Sequence, residues 1–244
     1  MKSVIIIPSR MASSRLPGKP LIKIDGIPMI QRVWHQAVSS NLGDVYVACC
    51  ETEVFDLIQN NGGNAIFTNP NLPSGTDRVY SAFSQIENAS DIDCIINLQG
   101  DMPLIKPNHI KKVIEPLKNN FLIGTLATSL RKDEFTSPNI TKVLVNWKNN
   151  NIGEAKEFFR SKNVRYDQAF HHVGIYSYTK ESLMQFVDLP KSINEISLNL
   201  EQYRAMDSGM RIGIKFEPDI PLSIDTKEDL ISAENIIKEI NEKN

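Results

Sequence analysis

The sequence predicts an α/β protein with a mostly parallel, doubly wound sheet and a smaller antiparallel extension. In the first half of the 244-residue chain, short apolar runs alternate with segments of helical periodicity, which is typical of parallel strands joined by helices on both faces. After about residue 128, strand-like runs follow one another with few helices between them. Because the chain contains no repeat, low-complexity tract or linker, we expect one domain over residues 1–244, of which about residues 128–195 form the extension.

The predicted elements follow from apolar periodicity and from the residues that end each run. Asn61-Gly62-Gly63-Asn64 is a strong helix stop, and Thr226 with Asp229 three residues later is typical of a helix start. In the first half, strands are predicted at Val4–Ile7, Val45–Ala48, Ala65–Phe67, Cys94–Leu98 and Ile123–Ala127, and helices at Pro28–Ser40, Glu53–Asn61, Asp77–Ile86 and Pro107–Lys118. In the second half, strands are predicted at Thr141–Trp147, Ile152–Phe158, His172–Tyr178 and Arg211–Phe216, and helices at Glu195–Ser208 and Lys227–Lys243.

The overall charge and composition exclude several classes of partner. The formal net charge is −2 and the isoelectric point is about 6.1, so no bulk field attracts nucleic acid or an anionic membrane. No apolar run approaches the roughly 20 residues that span a bilayer, and the amino terminus enters a strand without a signal-peptide pattern. The three cysteines lack metal-binding spacing. We therefore expect a cytoplasmic protein with reduced thiols, no nucleic-acid partner and no membrane partner.

The loop after the first predicted strand gathers positive charge. Residues 8–21 read Pro-Ser-Arg-Met-Ala-Ser-Ser-Arg-Leu-Pro-Gly-Lys-Pro-Leu and contain Arg10, Arg15 and Lys19. A loop at the carboxyl end of a parallel strand lies where open α/β sheets bind ligands, and three cations with free backbone N–H groups suit a nucleoside triphosphate. It is not a Walker loop, because Lys19 is followed by Pro20. An ordinary basic surface loop is the alternative, although two prolines beside a glycine stiffen this loop more than solvation requires.

One aspartate is a candidate Mg²⁺ ligand, and a second stands at a predicted helix start. Gln99-Gly100-Asp101 directly follows the apolar run Cys94–Leu98, so we expect Asp101 at the carboxyl edge of the sheet, level with the first loop. Beside a triphosphate a carboxylate suits Mg²⁺, which takes one or two protein carboxylates plus phosphate oxygens and water. A turn aspartate is the alternative. Asp225 immediately precedes the last predicted helix, where favourable helix-terminus electrostatics explain a carboxylate equally well.

Ser74-Gly75-Thr76-Asp77-Arg78 precedes an amphipathic helix. Its small residues and glycine allow close backbone approach to a base and a ribose. Asp77 or Thr76 can also cap the helix, so a simple capped helix start is the alternative interpretation.

The polar residues in the second half of the chain indicate a binding site less specifically than those in the first half. His171 and His172 are adjacent at the start of a predicted strand, so only one of them can face a pocket, and Tyr176 shares a face with His172. A structural histidine is the alternative. Glu201, Gln202 and Arg204 lie on a predicted helix, for which a solvated polar face is the simplest interpretation.

Several segments resemble one family in the same order along the chain. R-x-x-S-x-R-L-P-G-K-P-L, in the first loop, resembles the signature of the sugar-activating cytidylyltransferases. That loop alone is shared by several sugar nucleotidyltransferases, but H-x-G-I-Y and L-E-Q-x-R point to the 3-deoxy-manno-octulosonate (Kdo) branch, the CMP-Kdo synthetases. The resemblance covers nearly the whole chain, with further blocks at Ser74–Arg78, Gln99–Asp101, His172–Tyr176, Leu200–Arg204 and Ser223–Thr226.

This resemblance implies a nucleotidyltransferase that couples CTP to Kdo, giving CMP-Kdo and pyrophosphate for lipopolysaccharide assembly. It implies in-line attack of the anomeric hydroxyl on the α-phosphorus, Mg²⁺ as cofactor, and a homodimer in which the extension contributes to the sugar site and the interface. A glutamate–glutamine pair with a nearby cation suits an acid with hydroxyls and a carboxylate. The resemblance assigns catalysis to Arg10, Arg15, Lys19, Asp101 and Asp225, with the two aspartates holding the metal; nucleotide contacts to Pro8, Arg10, Lys19, Ser74, Gly75, Arg78 and Gln99; and sugar contacts to Gln99, Arg160, His172, Tyr176, Glu201 and Gln202.

Some positions depart from the family's pattern. The usual Y-F-S-R, followed by a small residue and I-P, reads E-F-F-R-S-K-N-V here, which keeps Arg160 as the carboxylate partner. Met102 stands where glutamate is common, and Cys49-Cys50 stands where an aspartate is usual. The preferred acid therefore stays open between Kdo and an amino-modified Kdo. Enzymes that activate sialic acid or a methylerythritol phosphate are near alternatives, and a non-catalytic nucleotide-binding regulator with the same sheet is the distant one.

Overall fold

The computed structural model describes residues 1–12, 15–149, 151–161, 165–218, 220 and 223–242. Strands and helices alternate along most of this part of the chain. The strands are β1 (Ser3–Pro8), β2 (Lys23–Ile24), β3 (Ile27–Pro28), β4 (Gly43–Cys49), β5 (Asn64–Phe67), β6 (Cys94–Leu98), β7 (Ile123–Thr128), β8 (Lys142–Trp147), β9 (Ile152–Phe159), β10 (Ala169–Thr179) and β11 (Ile212–Phe216). The helices are α1 (Met29–Ser39), α2 (Thr52–Asn60), α3 (Gly75–Phe83), α4 (Pro107–Lys112), α5 (Lys132–Phe135), α6 (Lys180–Asp188), α7 (Ile193–Leu198), α8 (Gln202–Asp207) and α9 (Lys227–Glu242).

The chain folds into two compact units. Unit I contains the described residues of 2–91, 97–110 and 221–244, and unit II contains residue 1 and the described residues of 92–96 and 111–220. The boundary divides β6, whose first three residues belong to unit II.

Unit I contains parallel strands covered by helices. β1 pairs in parallel with β4, and β4 pairs in parallel with β5. Residues 4–7 of β1 are all buried, as expected for a parallel strand that is covered on both faces. One cluster of buried apolar side chains joins the first loop, β2, α1 and α9, and thereby fixes the loop against the carboxyl-terminal helix. Its members are Leu16, Ile24, Met29, Ile224, Ala233 and Ile237.

Unit II contains a mixed sheet with a circular strand order. β10 runs antiparallel to β7, β7 parallel to β11, β11 antiparallel to β9, and β9 antiparallel to β8. β8 then pairs with the first residues of β10, at which the series began. The α/β prediction is therefore confirmed in its coarse form, a mixed fold with parallel and antiparallel strands, whereas the mostly parallel, doubly wound arrangement stays a prediction.

Every predicted strand is found, but two predicted helices are shorter than expected. The helix predicted to reach residue 118 ends at Lys112, because Pro116 has no N–H and restricts the residue before it. The helix predicted over residues 195–208 is divided into α7 and α8. Asn199 causes this division, since it adopts a left-handed conformation with φ of 52° at the end of α7.

Two helices of unit II, α5 and α6, were not predicted. α6 begins at Lys180, where the Thr179 hydroxyl accepts a hydrogen bond from the Ser182 N–H at 3.1 Å. α9 begins as predicted, with the Asp229 N–H donating to the Thr226 hydroxyl at 3.1 Å. The predicted end of this helix, residue 243, lies outside the described residues. Within the described ranges, every helix is too short or too polar to cross a bilayer.

Candidate functional site

The predicted nucleotide-binding residues surround one cavity of unit I, with a volume of about 340 Å³. The cavity lies where β1 and β6 end and α3 begins. Its lining includes every residue predicted to act in catalysis or to contact nucleotide or metal: Pro8, Arg10, Arg15, Lys19, Ser74, Gly75, Arg78, Gln99, Asp101 and Asp225. Ser9 and Leu72 line the same cavity and were not predicted.

The first loop is held in shape by its own backbone and by two buried side chains. Gly18 has φ of 68°, a left-handed conformation that glycine adopts without strain, and its N–H donates to the Met11 carbonyl at 3.3 Å. Leu16 and Pro20 are buried. The Met11 N–H in turn donates to the Glu51 carboxylate at 3.0 Å. The cations of the loop therefore project from a constrained backbone, and positions 13 and 14 of the signature lie outside the described residues.

The two predicted carboxylates converge on a single ammonium group. Lys19 Nζ donates to Asp101 Oδ2 at 2.8 Å and to Asp225 Oδ1 at 3.0 Å. Arg15 Nη2 lies 3.1 Å from the same Asp225 oxygen. The Ile224 N–H donates to the Asp101 carbonyl at 2.9 Å, which ties the two loops together through their backbones. The convergence expected from the resemblance is thus present.

Burial and charge act in opposite directions at this cluster. Burial raises the pKa of Asp101, and the Lys19 ammonium opposes this rise without cancelling it. The negative charge of Asp225 raises the pKa of Asp101 further, by less than burial does. Burial lowers the pKa of Lys19, but Asp101 and then Asp225 outweigh it, so the pKa of Lys19 is raised overall. Lys19 therefore stays charged, with a side chain only 13% exposed.

The two carboxylates fit one divalent cation whose coordination shell is completed by a nucleotide. Two carboxylates from different loops come together, and the described residues contain no group of three histidine, cysteine or acidic side chains that would hold a metal alone. Mg²⁺ commonly binds through one or two carboxylates and fills its octahedral shell with phosphate oxygens and water. Asp101 and Asp225 therefore suit a Mg²⁺ ion whose other ligands come from a triphosphate and water. They suit a metal held by protein side chains alone less well.

The start of α3 places backbone donors at the cavity. Ser74 caps this helix by accepting from the Asp77 N–H at 3.1 Å, and its hydroxyl donates to Asp77 Oδ2 at 2.6 Å. The cap is therefore Ser74 and not Asp77 or Thr76 as predicted, because Ser74 has the extended backbone that an N-cap requires. The first N–H groups of α3 have no acceptor within the helix, and such groups favour anions.

A buried hydrogen-bond chain orients Gln99. Its Nε2 donates to Asn97 Oδ1 at 2.7 Å, and Asn97 Nδ2 donates to the Thr76 hydroxyl at 3.3 Å. Asn97 was not predicted, because a single polar residue inside the apolar run of β6 carries no separate signal. Arg78 is buried, and its guanidinium donates to the Thr68 hydroxyl at 2.5 Å. Arg78 therefore supports the wall of the cavity as well as lining it.

The predicted sugar-binding residues, except Gln99, belong to unit II and are also brought together there. The rings of His172 and Tyr176 lie 5.5 Å apart, so they share a face as predicted. Tyr176, Glu201 and Gln202 line a narrow cavity of about 10 Å³. Arg160 Nη2 points to the Asn199 carbonyl at 3.5 Å, which places Arg160 beside the turn that precedes α8. Arg160 Nε is buried and has no hydrogen-bond partner among the described residues.

Burial keeps the two ring residues of this group neutral. It lowers the pKa of His172 to about 3, with a smaller contribution from His171. Burial also raises the pKa of Tyr176 well above its ordinary value. Neither side chain carries a charge near neutral pH, so both act as hydrogen-bonding groups.

Two other polar residues of unit II have structural partners. His171 Nδ1 lies 3.2 Å from Glu134 Oε2, and both side chains are buried. Arg204 binds Glu195 with two hydrogen bonds, of 3.0 and 2.7 Å, and its guanidinium lies over the Phe186 ring. Glu195 therefore neutralises Arg204, and Arg204 does not serve as the cation expected beside Glu201.

The chain is similar to known cytidylyltransferases over nearly its whole length. A family profile described as "Cytidylyltransferase" matches residues 4–212. The 3-deoxy-manno-octulosonate cytidylyltransferase of Paramagnetospirillum magneticum is 41% identical over 239 residues, which cover 96% of this chain and 97% of the relative. The protein of the same name from Nitrobacter winogradskyi is 39% identical over 243 residues, which cover 97% of this chain and 94% of the relative.

Two solved structures extend the comparison. CMP:2-keto-3-deoxy-manno-octonic acid synthetase complexed with CTP has a TM-score of 0.88 and 33% identity, with 98% of this chain and 99% of that chain covered. 4-Diphosphocytidyl-2C-methyl-D-erythritol synthase from Anaerococcus prevotii has a TM-score of 0.65 at 11% identity, with 97% and 99% covered. The second likeness shows a shared fold and no more.

Proposed function

Because the chain belongs to the cytidylyltransferase family, we propose that it transfers the CMP moiety of CTP to Kdo, giving CMP-Kdo and pyrophosphate for lipopolysaccharide biosynthesis. The observation that carries this proposal is the cavity of unit I, where three loop cations and two carboxylates meet at the end of β1. The relatives named for Kdo are about 40% identical to the chain, whereas the erythritol-phosphate enzyme shares only its fold.

The cavity suits the triphosphate of CTP. Arg10 is exposed at its rim and forms no ion pair within the described residues, so its charge is available to a phosphate. Arg15 and Lys19 add two further cations, and the start of α3 adds backbone N–H groups. Pro8, Ser74, Gly75, Arg78 and Gln99 would surround the nucleoside, where Gln99 is already oriented by Asn97.

The reaction is an in-line displacement at the α-phosphorus. The anomeric oxygen of Kdo forms a bond to this phosphorus, the bond from phosphorus to the bridging oxygen breaks, and pyrophosphate leaves while the hydroxyl proton passes to solvent. Arg10, Arg15 and Lys19 stabilise the charge that gathers on the phosphoryl oxygens and the leaving group. The chemistry requires no covalent intermediate.

Asp101 and Asp225 would hold Mg²⁺ in this reaction. When bound, the ion lowers the pKa of the attacking hydroxyl and neutralises phosphate oxygens. The protein's own contribution is to keep two carboxylates converged, through the backbone hydrogen bond between Ile224 and Asp101. Before the ion binds, the Lys19 ammonium neutralises both carboxylates.

The sugar acid would be recognised by the group in unit II. The buried, unpartnered Nε of Arg160 suits the Kdo carboxylate, because an arginine binds a carboxylate through two parallel N–H groups. His172, Tyr176, Glu201 and Gln202 would bind hydroxyls, and Gln99 is a further proposed contact of the sugar acid.

A homodimer in the cytoplasm is the assembly and location that this function implies. Ile193 and Ile196 on α7 are 85% and 66% exposed, which is unusual for neighbouring isoleucines on one helix face. The free cysteines Cys49, Cys50 and Cys94 accord with a reducing compartment.

Pyrophosphate release in the presence of CTP tests the proposal. Kdo, an amino-modified Kdo, a sialic acid and methylerythritol phosphate are each supplied, and we expect release only with a Kdo-type acid. Asp101→Asn and Asp225→Asn should abolish release while CTP binding persists through the loop cations. Release with methylerythritol phosphate or sialic acid alone would move the protein to a neighbouring activity. CTP binding without release under any condition would support the non-catalytic regulator.

A further inference from the structure

Thr125 of β7 lies beside a bulge in β10. In the pairing of these strands Val173 lies opposite Leu126, and the next paired residue of β10 is Tyr176, opposite Thr125. Two residues of β10 are therefore extra, and a bulge of this kind redirects the side chains on either side of it. The Thr125 side chain is fully buried at this place.

The hydroxyl of Thr125 joins the bulge to His172. Its Oγ1 lies 2.7 Å from the Ile175 carbonyl, 3.1 Å from the Val173 carbonyl and 3.1 Å from His172 Nε2. A carbonyl oxygen only accepts, and a threonine hydroxyl carries one hydrogen. That hydrogen is donated to one of the carbonyls, so Oγ1 offers the histidine only lone pairs.

The position of the proton on His172 follows from this count. Because Oγ1 can only accept from the ring, Nε2 carries the hydrogen and donates it. A neutral imidazole has one N–H, so Nδ1 carries a lone pair. Burial keeps the ring neutral by lowering the pKa of His172 to about 3. The contact with Thr125 uses Nε2 and does not occupy Nδ1.

We propose that Thr125 is a positioning residue that holds His172 as the Nε2–H tautomer, so that His172 accepts a hydrogen bond from a hydroxyl of the sugar acid. This inference rests on the proposed function, in which His172 belongs to the sugar site. A lone pair at Nδ1 repels a carboxylate, so the carboxylate of the substrate is left to Arg160, whose Nε has no protein partner among the described residues. His172 thereby binds a hydroxyl of the substrate, and Arg160 binds its carboxylate.

Histidine NMR tests the tautomer without any substrate. The protein has four histidines, and a His172→Gln variant assigns the His172 signals in long-range ¹H–¹⁵N spectra of ¹⁵N-histidine-labelled protein. We expect the Nε2–H form from about pH 8 to about pH 5 in the unmodified protein. Thr125→Val, which keeps the shape and removes the hydroxyl, should move the signals towards a mixture of tautomers, and Thr125→Ser should restore the Nε2–H form.

Kinetics test the consequence for recognition. Thr125→Val should raise the KM for the sugar acid by about tenfold or more, because a site built to bind a hydroxyl loses its orientation. The KM for CTP and kcat should change by less than about twofold, and Thr125→Ser should stay within about threefold of the unmodified protein for the acid. A structural role alone would instead lower the amount of folded enzyme without separating the two KM values.

An Nδ1–H or charged His172 at neutral pH would overturn the inference, and so would a Thr125→Val variant with unchanged tautomer and unchanged KM for the acid. If Thr125→Val does not fold, the spectrum of the unmodified protein and the Thr125→Ser kinetics decide the matter. Absence of turnover with every sugar acid contradicts the proposed function instead, since the tautomer is read from the free protein.

Discussion

In the cavity of unit I, Lys19 links the binding of the nucleotide to the binding of the metal. Its ammonium stands between Asp101 and Asp225, the place that a divalent cation shared by both carboxylates would need. A triphosphate competes for the same ammonium, since its oxygens are strong acceptors. The nucleotide would therefore draw Lys19 away from the carboxylates as it binds, and metal affinity should rise when the nucleotide is present.

Lys19→Met should raise the affinity for Mn²⁺ in the absence of nucleotide by about tenfold or more, because two like charges then lack their neutralising partner. Electron paramagnetic resonance measures free Mn²⁺ directly. Lys23→Met, which changes an exposed lysine near the loop, should leave the affinity unchanged. Adding Asp101→Asn to Lys19→Met should remove the gain. Equal Mn²⁺ affinity of the unmodified protein and Lys19→Met would show that Lys19 does not compete for the site.

His172 should make the fold sensitive to acid. Its pKa is about 3 in the folded protein and about 6.5 when unfolded, so the unfolded chain binds more protons between these values. Stability is therefore lost as pH falls below about 6.5, by at most about 1.4 kcal/mol per pH unit for this group. His172→Gln should lose less stability between about pH 7 and about pH 5 in denaturant titrations. His35→Gln, at an exposed histidine, is the control; parallel losses in both variants and the unmodified protein would contradict the assignment.

At the scale of elements, the apolar runs predicted every strand except the two-residue strands β2 and β3, and the residues at strand ends predicted the lining of the cavity. Polar residues inside strands were missed. Asn97 and Thr125 each sit in an apolar run, and their partners come from other elements, so no local pattern marks them. Arg204 was placed on the correct helix, but its pairing with Glu195 depends on a turn at Asn199 that divides the predicted helix. Helix propensity alone does not predict such a turn.

The proposed sugar-binding residues Arg160, which follows β9, and Gln202, which begins α8, give a matched pair of variants. Arg160→Ala and Gln202→Ala should each raise the KM for Kdo by about tenfold or more, because each leaves a substrate group without its partner. The KM for CTP should change by less than about threefold. Steady-state kinetics with each substrate varied in turn measures both constants. Arg165→Ala, at a mostly exposed arginine, should leave both unchanged; a larger effect on CTP would place Arg160 or Gln202 on the nucleotide side.

At the scale of the whole molecule, a net charge of −2 gives no general attraction for two anionic substrates. Affinity for them must come from local groups, which agrees with the concentration of Arg10, Arg15 and Lys19 in one loop. The same weak overall charge permits two copies of the chain to approach one another, because self-repulsion is small.

The proposed homodimer provides the test at this scale. Ile193 and Ile196 lie three residues apart on α7, and burial of such exposed side chains against a second copy is favourable by about 25 cal/mol per Å² of apolar surface. We expect the unmodified protein to sediment as a dimer at micromolar concentration, and the double variant Ile193→Glu with Ile196→Glu to sediment as a folded monomer. Ile231→Glu, at an isoleucine of α9 that is 58% exposed, is the matched control and should remain a dimer. A monomeric unmodified protein would contradict the proposed assembly. Dissociation of the Ile231→Glu control alone would move the interface from α7 to α9.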